Sequence, residues 1–418
     1  MEEKQIFATL EVSDHEVRMI VGEFFNTRFN ILKVERVPVD ALSYDTITDQ
    51  DALTAAIAEA AREAGETLGA KIEKVILCVP ALNTKRKPVR VSVPIEGIDG
   101  VITAQDIKTA VDSAQNVRVE RDLALIQTVC VKYTIDGIAS RRIPIGEHAS
   151  QLTVDIDLIC ADRNMAYALV GCTEQAGLQV MDIFLDVYAV AKEAALFEQS
   201  VDSNVLIMKM ERRATTLGIL SKGRLRDCVV VPFGVGDIAE PLVEQYGITR
   251  AAAVELVKYS LLLNEKVNPA NLVHIWNDNG NARRLNEEEL FTCVSPKVDE
   301  WVDGMVKYCG KILQAGKTTV IITGEGGEMQ GLNEVLARKA GTEVRNYIPE
   351  TLGGRNAGMT ACLGLFYAYK DKLPIAGYTD NSIDMDKFLQ SVSYRSRLNK
   401  PEDTFTNRFK SLFAGSRK

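Results

Sequence analysis

The same order of strand-like and helical segments occurs twice along this chain of 418 residues. In the first half, the runs IFATLEV, VRMIVGEFF and FNILKVERVPV predict three strands, followed by a helical segment from Asp51 to Leu68 and the buried-strand run KVILCVP. In the second half, VLIMKM, TTLGIL and LRDCVVVPF predict three strands again, and the buried-strand run reappears as TTVIITG. Two β-β-β-α-β-α halves that face each other predict an α/β protein with a cleft between two related lobes.

Each half has room for an insertion. The segment 87–164 contains a helix from Thr103 to Ala114 and the strand runs DLALIQTVCVKY and LTVDIDLICA, which predict one inserted subdomain. The segment 234–315 is mostly helical and belongs to the other half. The chain therefore divides into a first lobe of residues 1–86, 165–203 and 352–374 and a second lobe of residues 204–351.

The C-terminal residues have a different character from the rest of the chain. A polar stretch at 375–403 predicts a flexible linker, and an apolar stripe at helical spacing follows it within 404–418. Residues 395–418 carry a net charge of +5, which leaves −13 on the rest of the chain. A basic amphipathic helix predicts docking on an anionic membrane surface, and the alternative is a helix that folds back onto its own domain. The residues of the predicted membrane helix are Phe405, Arg408, Phe409, Lys410, Leu412 and Phe413.

Composition excludes several classes of function. The eight cysteines lie far apart in apolar runs such as VILCVP, which indicates reduced core residues. We interpret His15, His148 and His274 as scattered, without Cys or carboxylate neighbours at metal-ligand spacing, and predict no metal site. The acidic body argues against a nucleic-acid surface. No apolar run approaches the roughly 20 residues of a membrane span and the start MEEKQIF lacks a secretory signal, so we expect a cytoplasmic body.

The arrangement resembles the actin-like nucleotide-binding superfamily and, in detail, the FtsA family of bacterial cell-division proteins. The resemblance rests on ITGEGGEMQGLNEVL at 322–336, AQDIKTAVDSAQNVRVE in the first insertion, DIDLICADRNMAYALVGCTEQAGLQV before the second half, and the linker with its amphipathic tail. It implies an FtsA-type subdomain, filaments on the inner membrane at the division site, and a membrane-bound C-terminal helix. The implied partners are the C-terminal peptide of the tubulin-like protein FtsZ and, through the inserted subdomain, later division proteins.

The resemblance also implies that each half contributes one hairpin to the cleft. In this superfamily the two hairpins cradle phosphates, and acidic residues hold Mg²⁺ through water. Glycines are needed because backbone N–H groups must approach the phosphates closely. The family's acidic-x-Gly-Thr turn falls on Glu11, Val12, Ser13 and Asp14, so the carboxylate is kept but Ser13 replaces the glycine. An anionic Asp14 facing the phosphates would disfavour a nucleotide through Coulomb repulsion.

The second hairpin departs further from the family. The family's Asp-Ile-Gly-Gly-Gly-Thr corresponds to KMERRA at 209–214, where Lys209 replaces the metal-facing Asp and three side chains replace the triple glycine. Lys209, Arg212 and Arg213 could attract phosphate by charge, but their bulk blocks the backbone cradle. The sequence therefore favours a lost phosphate site over a rebuilt one.

The nucleoside end of the implied site is partly kept. The two glycines that face adenine in the family fall on Gly324 and Glu325, with Gly326 and Gly327 nearby, and a glutamate at the second position would clash with the base. Glu255 and Lys258 match the family's pair that reaches the ribose. At spacing i, i+3 they could equally form a surface ion pair.

The resemblance implies a peptide-binding position at Lys297, next to Pro296, for which the alternative is a solvated lysine at a helix N-terminus. Together these features predict an actin-like membrane tether that is a pseudo-ATPase. We expect no cofactor, with ATP or ADP left open. Two alternatives remain: an FtsA-like scaffold for another machine such as pilus assembly, whose known relatives lack the membrane tail, and a small-molecule kinase of the same superfamily.

Overall fold

The computed structural model describes residues 4–390 except 27, 97–98, 264, 279 and 377–379. The strands are β1 (Gln5–Val12), β2 (Glu16–Phe25), β3 (Arg28–Pro38), β4 (Lys74–Val79), β5 (Lys85–Pro94), β6 (Leu123–Ile135), β7 (Ile138–Ser140), β8 (Gln151–Asp162), β9 (Gln179–Leu185), β10 (Asn204–Met210), β11 (Thr215–Ser221), β12 (Arg224–Val231), β13 (Leu272–Asp278), β14 (Asn281–Asn286), β15 (Thr318–Gly324) and β16 (Glu343–Asn346). The helices are α1 (Gln50–Leu68), α2 (Ala104–Gln115), α3 (Arg163–Gln175), α4 (Asp186–Glu193), α5 (Leu196–Gln199), α6 (Val235–Tyr246), α7 (Arg250–Tyr259), α8 (Glu287–Gln314), α9 (Leu332–Ala340), α10 (Thr360–Lys370) and α11 (Leu373–Ala376). The predicted membrane helix at 404–418 lies outside the described residues.

Two five-stranded sheets have the same topology. The first has the order β3-β2-β1-β4-β9 and the second the order β12-β11-β10-β15-β16. In each, three antiparallel strands are followed by a parallel one, since β1 pairs with β4 and β10 with β15 in parallel register. The central strands β1 and β10 are apolar and almost fully buried, as expected for strands covered on both faces. The duplicated two-lobed α/β fold predicted from the sequence is confirmed.

Local signals explain where the helix of the first repeat begins and ends. The carboxylate of Asp49 accepts a hydrogen bond from the backbone N–H of Ala52 and so caps the start of α1. Gly69 ends the helix with a left-handed φ of 74°. Between them, alanines and leucines repeat every three or four residues and pack against the first sheet.

The lobes share a packed centre. Helices α4 and α10 approach each other so closely that a Cβ at Gly364 would lie 1.8 Å from the carbonyl oxygen of Ala189. The core of the first lobe continues through α4 onto one face of the second sheet, where it includes Val205 and Ile207. The opposite face of the second sheet has its own core, which includes Trp301. The lobes are therefore joined at their base by apolar packing.

The inserted subdomain is a four-stranded sheet with order β5-β8-β6-β7, and α2 packs on it. Its sheet spans residues 85–162, whereas the sequence predicted boundaries at 87 and 164. Its core is small and separate, and it includes Ile107, Tyr133 and Val154.

The second insertion differs from its prediction in one respect. Helices α6, α7 and α8 make it mostly helical, but an antiparallel hairpin of β13 and β14 lies between α7 and α8. The ring of Trp276 on this hairpin packs edge-on against Tyr246 at the end of α6, which holds the hairpin to the helices. Within the described part of the chain, no helix is both long enough and apolar enough to cross a membrane.

The predicted linker from residue 375 begins too early. Ser382 hydrogen-bonds at the edge of β1, where its hydroxyl accepts from the N–H of Ala8 at 2.7 Å and its N–H donates to the carbonyl of Ile6 at 2.8 Å. Ile383 and Phe388 are buried against the first lobe. The mostly polar composition of this stretch predicted a linker, but two of its apolar residues pack on the lobe. Residues 380–390 therefore belong to the lobe.

Candidate functional site

The two equivalent hairpins meet across the cleft. In the β1–β2 turn the N–H of Ser13 donates to the carbonyl of Glu16, and in the β10–β11 turn the N–H of Glu211 donates to the carbonyl of Ala214, each at 2.9 Å. The turns are thus built alike, as the repeated sequence order predicts. They are also in direct contact, because the Asp14 carboxylate accepts a hydrogen bond of 2.5 Å from the backbone N–H of Arg213. An amide of the second hairpin is therefore occupied by an anion that belongs to the protein.

Arg18 links the two hairpins from below. Its guanidinium has no exposed surface and binds the carboxylate of Glu211 through two nitrogens, at 3.1 and 2.9 Å. It also donates to Glu16 at 2.6 Å and to the carbonyl of Gly358 at 2.7 Å. Burial raises the pKa of Glu211, but the nearby charges of Arg18 and Lys209 outweigh burial, so the pKa lies below its ordinary value. Arg18 of the first lobe and Glu211 of the second are therefore both charged.

Lys209 places its ammonium among three carboxylates. Its ammonium lies 2.7 Å from Glu11, 3.3 Å from Asp186 and 3.6 Å from Glu211. The contact with Glu11 is an ion pair without hydrogen-bond geometry, since neither carboxylate oxygen of Glu11 has a hydrogen-bond partner. Burial lowers the pKa of Lys209, but the three carboxylates raise it well above its ordinary value. The lysine remains charged and serves as the internal counter-ion of these acids.

Glu325, predicted to obstruct the adenine, is the centre of a second group of charges. It is 2% exposed, and its carboxylate lies 2.8 Å from Arg212, 3.1 Å from Lys258 and 3.4 Å from His15. Burial raises its pKa, but His15, Arg212 and Lys258 together hold it far below the usual range. This carboxylate connects the second lobe to the first through His15.

His15 corrects one of the sequence interpretations. Its neighbours in the chain are Asp14 and Glu16, so it does have carboxylates beside it, and its ring nitrogens lie 2.9 Å from Asp14, 3.5 Å from Glu16 and 3.4 Å from Glu325. Burial lowers the pKa of His15, but the three carboxylates outweigh burial and raise it to about 10. The ring is therefore a cation at neutral pH.

Ligand atoms of Asp14, His15 and Glu211 lie within 4.8 Å of one another, a spacing that a metal ion could use. A metal needs a neutral imidazole, whereas this ring is held charged by carboxylates. Glu211 is already bound by Arg18. The arrangement fits internal ion pairs better than a metal centre.

The two residues of the predicted ribose pair, Glu255 and Lys258, differ in burial. Lys258 has 3% of its side chain exposed and turns inward to Glu325, while Glu255 is 52% exposed and contacts the same ammonium at 3.2 Å. The pair is therefore more than a surface contact, and its buried member is engaged by Glu325.

The glycines near Glu325 have a packing role. Gly324 has φ 72°, and a Cβ there would lie 2.6 Å from the carbonyl oxygen of Met210. A Cβ at Gly326 would lie 2.5 Å from the Met210 sulfur, and one at Gly327 would lie 2.9 Å from Ala357. These glycines allow the end of β15 to pack against the end of β10.

The structure brings together the predicted cleft residues of both halves, from Glu11 to Glu325. Arg213 lies at the rim, where it pairs with Asp40 and donates to the carbonyl of Leu42 at 2.9 Å. Lys297 lies elsewhere, well inside α8 rather than at a helix start, with its side chain 40% exposed and 2.7 Å from Glu300. The sequence prediction missed four partners that complete the network, and it treated Glu211 only as a replacement for a glycine. The four are His15, Glu16, Arg18 and Asp186. A signal was present, because charged residues inside apolar strands are rarely buried unless they are paired.

Comparison with known proteins agrees with this architecture. A family model described as the SHS2 domain inserted in FtsA matches residues 83–160, the inserted subdomain. The cell division protein FtsA of Neisseria meningitidis serogroup B is 23% identical over 384 residues, covering 88% of this chain and 91% of the relative. The FtsA of Bacillus subtilis (strain 168) is 24% identical over 242 residues, or 58% of this chain and 55% of that relative. A solved PilM–PilN type IV pilus biogenesis complex has a TM-score of 0.58 at 14% identity, covering 86% of this chain and 97% of that one.

A duplicated two-lobed α/β fold, with paired hairpins that meet between the lobes, is an actin-like fold. The match of the inserted subdomain to the SHS2 domain of FtsA narrows the similar proteins to FtsA and its relatives. The chain is similar to FtsA proteins over most of its length, as its sequence motifs indicated.

Proposed function

We propose that this chain is an actin-like scaffold of the cell-division machinery that works without nucleotide turnover. The observation that carries the proposal is the network of ion pairs between the two hairpins, which occupies the place where this superfamily holds phosphates. The cell-division role is supported by the FtsA relatives and by the SHS2 match. The likeness to PilM supports the fold alone, and the occupied cleft argues against a small-molecule kinase.

A nucleotide would have to displace several of the protein's own charges. Its phosphates would compete with Asp14 for the N–H of Arg213, and Mg²⁺ would have to replace the Lys209 ammonium among its carboxylates. Removing one partner from a buried ion pair costs roughly 3–5 kcal/mol because the other charge is left unpaired. We infer that ATP and ADP do not compete successfully with this network.

Isothermal titration of the full chain with ATP and Mg²⁺ tests the nucleotide part. We expect no saturable heat up to millimolar ATP and no shift in melting temperature. A micromolar affinity that Lys209→Asp or Glu325→Gly leaves unchanged would place nucleotide outside the cleft. A micromolar affinity that these variants alter would overturn the pseudo-ATPase proposal.

Membrane attachment through residues 404–418 is the second part of the proposal. Burial of four large apolar side chains, with attraction of the flanking cations to anionic lipid, supports weak binding by a helix that forms on contact. Filament assembly would multiply this affinity because many tails would be held on one scaffold. Together these features would hold the protein at the cytoplasmic face of the membrane.

Co-sedimentation with vesicles that contain anionic lipid tests the tail. We expect binding by the full chain and its loss in Phe409→Glu and in a chain ending at residue 403. Asn407→Glu is the matched control, since it adds the same charge on the opposite side of the predicted helix and should retain most of the binding. Equal sedimentation of Phe409→Glu and the unaltered chain would refute this attachment.

Binding of the FtsZ C-terminal peptide at Lys297 is the third part. The side chain is partly exposed on α8, near the ring of Phe233, and its charge suits an acidic peptide. Fluorescence anisotropy with a labelled peptide should show at least tenfold weaker binding for Lys297→Glu. Lys311→Glu, on an exposed position of the same helix, should bind normally. Unchanged affinity in Lys297→Glu would exclude this position as the peptide site.

The division role itself is tested in cells. A fluorescent fusion of the full chain that fails to collect at the division site would reject this role.

A further inference from the structure

Two edge strands from different parts of the fold are in contact with each other. Strand β5 is an edge of the inserted sheet and β12 is an edge of the second-lobe sheet. Three arginines lie at this junction: Arg86 on β5, and Arg224 and Arg226 on β12.

A single carboxylate serves this group. Asp157 is 2% exposed and lies 2.8 Å from Arg86 and 3.5 Å from Arg224. Arg226 donates its Nε–H to the carbonyl of Ser221 at 3.1 Å, and no carboxylate of the described residues forms an ion pair with it. The Nε of Arg86 is buried without a hydrogen-bond partner. The group therefore has an excess of positive charge and an unused donor.

The surroundings of Arg226 show that the excess of positive charge is concentrated at this residue. The register between β11 and β12 shifts at Leu220, so Arg226 stands opposite no residue of the neighbouring strand. Burial lowers the pKa of Arg226, the positive charges of Arg86 and Arg224 lower it further, and the negative charge of Asp157 offsets this only in part. The cleft arginines differ, because Arg18, Arg212 and Arg213 each have a carboxylate partner.

We propose that Arg86, Arg224 and Arg226 form a binding site for a phosphate group. Guanidinium groups present planar forks of N–H donors that match phosphate oxygens and bind them in pairs. A dianionic phosphate would balance the charge that Asp157 leaves uncompensated. Because the arginines come from both the inserted subdomain and the second lobe, the bound phosphate would fix one against the other. The site does not depend on the proposed division role.

Thermal unfolding and calorimetric titration of the full chain with inorganic phosphate, against chloride at constant ionic strength, test the site. We expect one phosphate per chain and a saturable rise in melting temperature. In Arg226→Gln the affinity should fall at least tenfold. Arg90→Gln is the control, since Arg90 lies on β5, the strand that carries Arg86, but is paired with Asp155, so its loss should leave phosphate binding intact.

The stability of Arg226→Gln without phosphate separates a binding site from a structural cluster. If Arg226 belongs to a phosphate site, its removal relieves repulsion, and the phosphate-free variant should melt at the same temperature as the unaltered chain or higher. A lower melting temperature together with unchanged phosphate affinity would show that Arg226 is structural and would overturn the proposal. Absence of saturable phosphate binding to the unaltered chain would overturn it as well.

Two further titrations identify the source of the phosphate. A phosphoserine peptide that binds at least tenfold more tightly than inorganic phosphate, and loses this advantage when dephosphorylated, would assign a phosphorylated partner. Equal affinity for the two would assign free phosphate. ATP titrated into Arg226→Gln distinguishes this site from the cleft, because only ATP held by these arginines would be lost.

Discussion

Arg18 has no exposed surface, yet it carries a full charge at the centre of the cleft. It is tolerated because every direction of its guanidinium meets an acceptor: Glu211, Glu16 or the carbonyl of Gly358. Arg18 and its carboxylate partners therefore depend on one another. A lone arginine or a lone glutamate in this position would be an unpaired buried charge.

Arg18→Ala should lower the free energy of unfolding by roughly 3–5 kcal/mol, because Glu211 is left buried without its partner. Urea unfolding followed by circular dichroism measures this loss. Arg62→Ala removes an exposed i, i+4 ion pair with Glu66 on α1 and should leave the midpoint unchanged. Similar effects of the two substitutions would contradict the structural role of Arg18.

His15 should make stability depend on pH. Its pKa is raised from 6.5 to about 10 in the folded chain, so its stabilising charge is fully present below pH 6.5 and is lost as pH rises towards 10. Each pKa unit corresponds to about 1.4 kcal/mol, which predicts a loss on the order of 2–4 kcal/mol between pH 6.5 and 10. Unfolding free energies across this range should fall less steeply for His15→Gln. His148→Gln, at an exposed histidine, should retain the slope of the unaltered chain.

At the scale of elements, the hairpins and the glycine-rich turn after β15 form one packed unit. Gly234 and Gly236 at the start of α6 lie against the second hairpin, where a Cβ at Gly236 would be 2.7 Å from the carbonyl oxygen of Arg212. The hairpin is therefore held from behind by α6 and from the side by β15. Small residues are kept here for close packing, whether or not a nucleotide is bound.

Gly324→Ala should destabilise the fold by roughly 2 kcal/mol or more, because φ is left-handed and the new Cβ would meet Met210. Gly304→Ala is the natural control, since Gly304 is exposed within α8 and no atom lies near its Cβ position. That substitution should stabilise by about 1 kcal/mol through helix propensity. Thermal unfolding compares the two, and a neutral Gly324→Ala would show that the turn adjusts.

At the scale of the whole molecule, the lobes are joined twice: by the apolar contact at their base and by ion pairs across the cleft. We expect one cooperative unfolding transition by calorimetry for this reason. Glu211→Gln combined with Glu325→Gln removes the carboxylates through which the second lobe binds Arg18 and His15, and should separate the transition into two. A single transition in the double variant would show that the base contact, with the remaining cross-cleft contacts such as Lys209 to Glu11, is enough to couple the lobes.

The amino-acid sequence by itself determined the duplicated fold, the inserted subdomain and the absence of the family's glycines from both hairpins. Apolar periodicity and the presence or absence of glycine are local properties, so they can be read along the chain. The sequence could not determine that residues 380–390 pack on the first lobe, because isolated apolar residues show no periodic pattern.

Only the tertiary structure decided which charges meet at the two hairpins. Glu11 and Lys209 are far apart in sequence, as are His15 and Glu325, and their charges are neutralised only when folding places the lobes together. The energy of a buried charge depends on its partners in three dimensions. From the sequence alone, a residue such as Lys209 could therefore be expected either to attract a phosphate or to exclude one. The sequence did not indicate that the three arginines of β5 and β12 lie together, for the same reason.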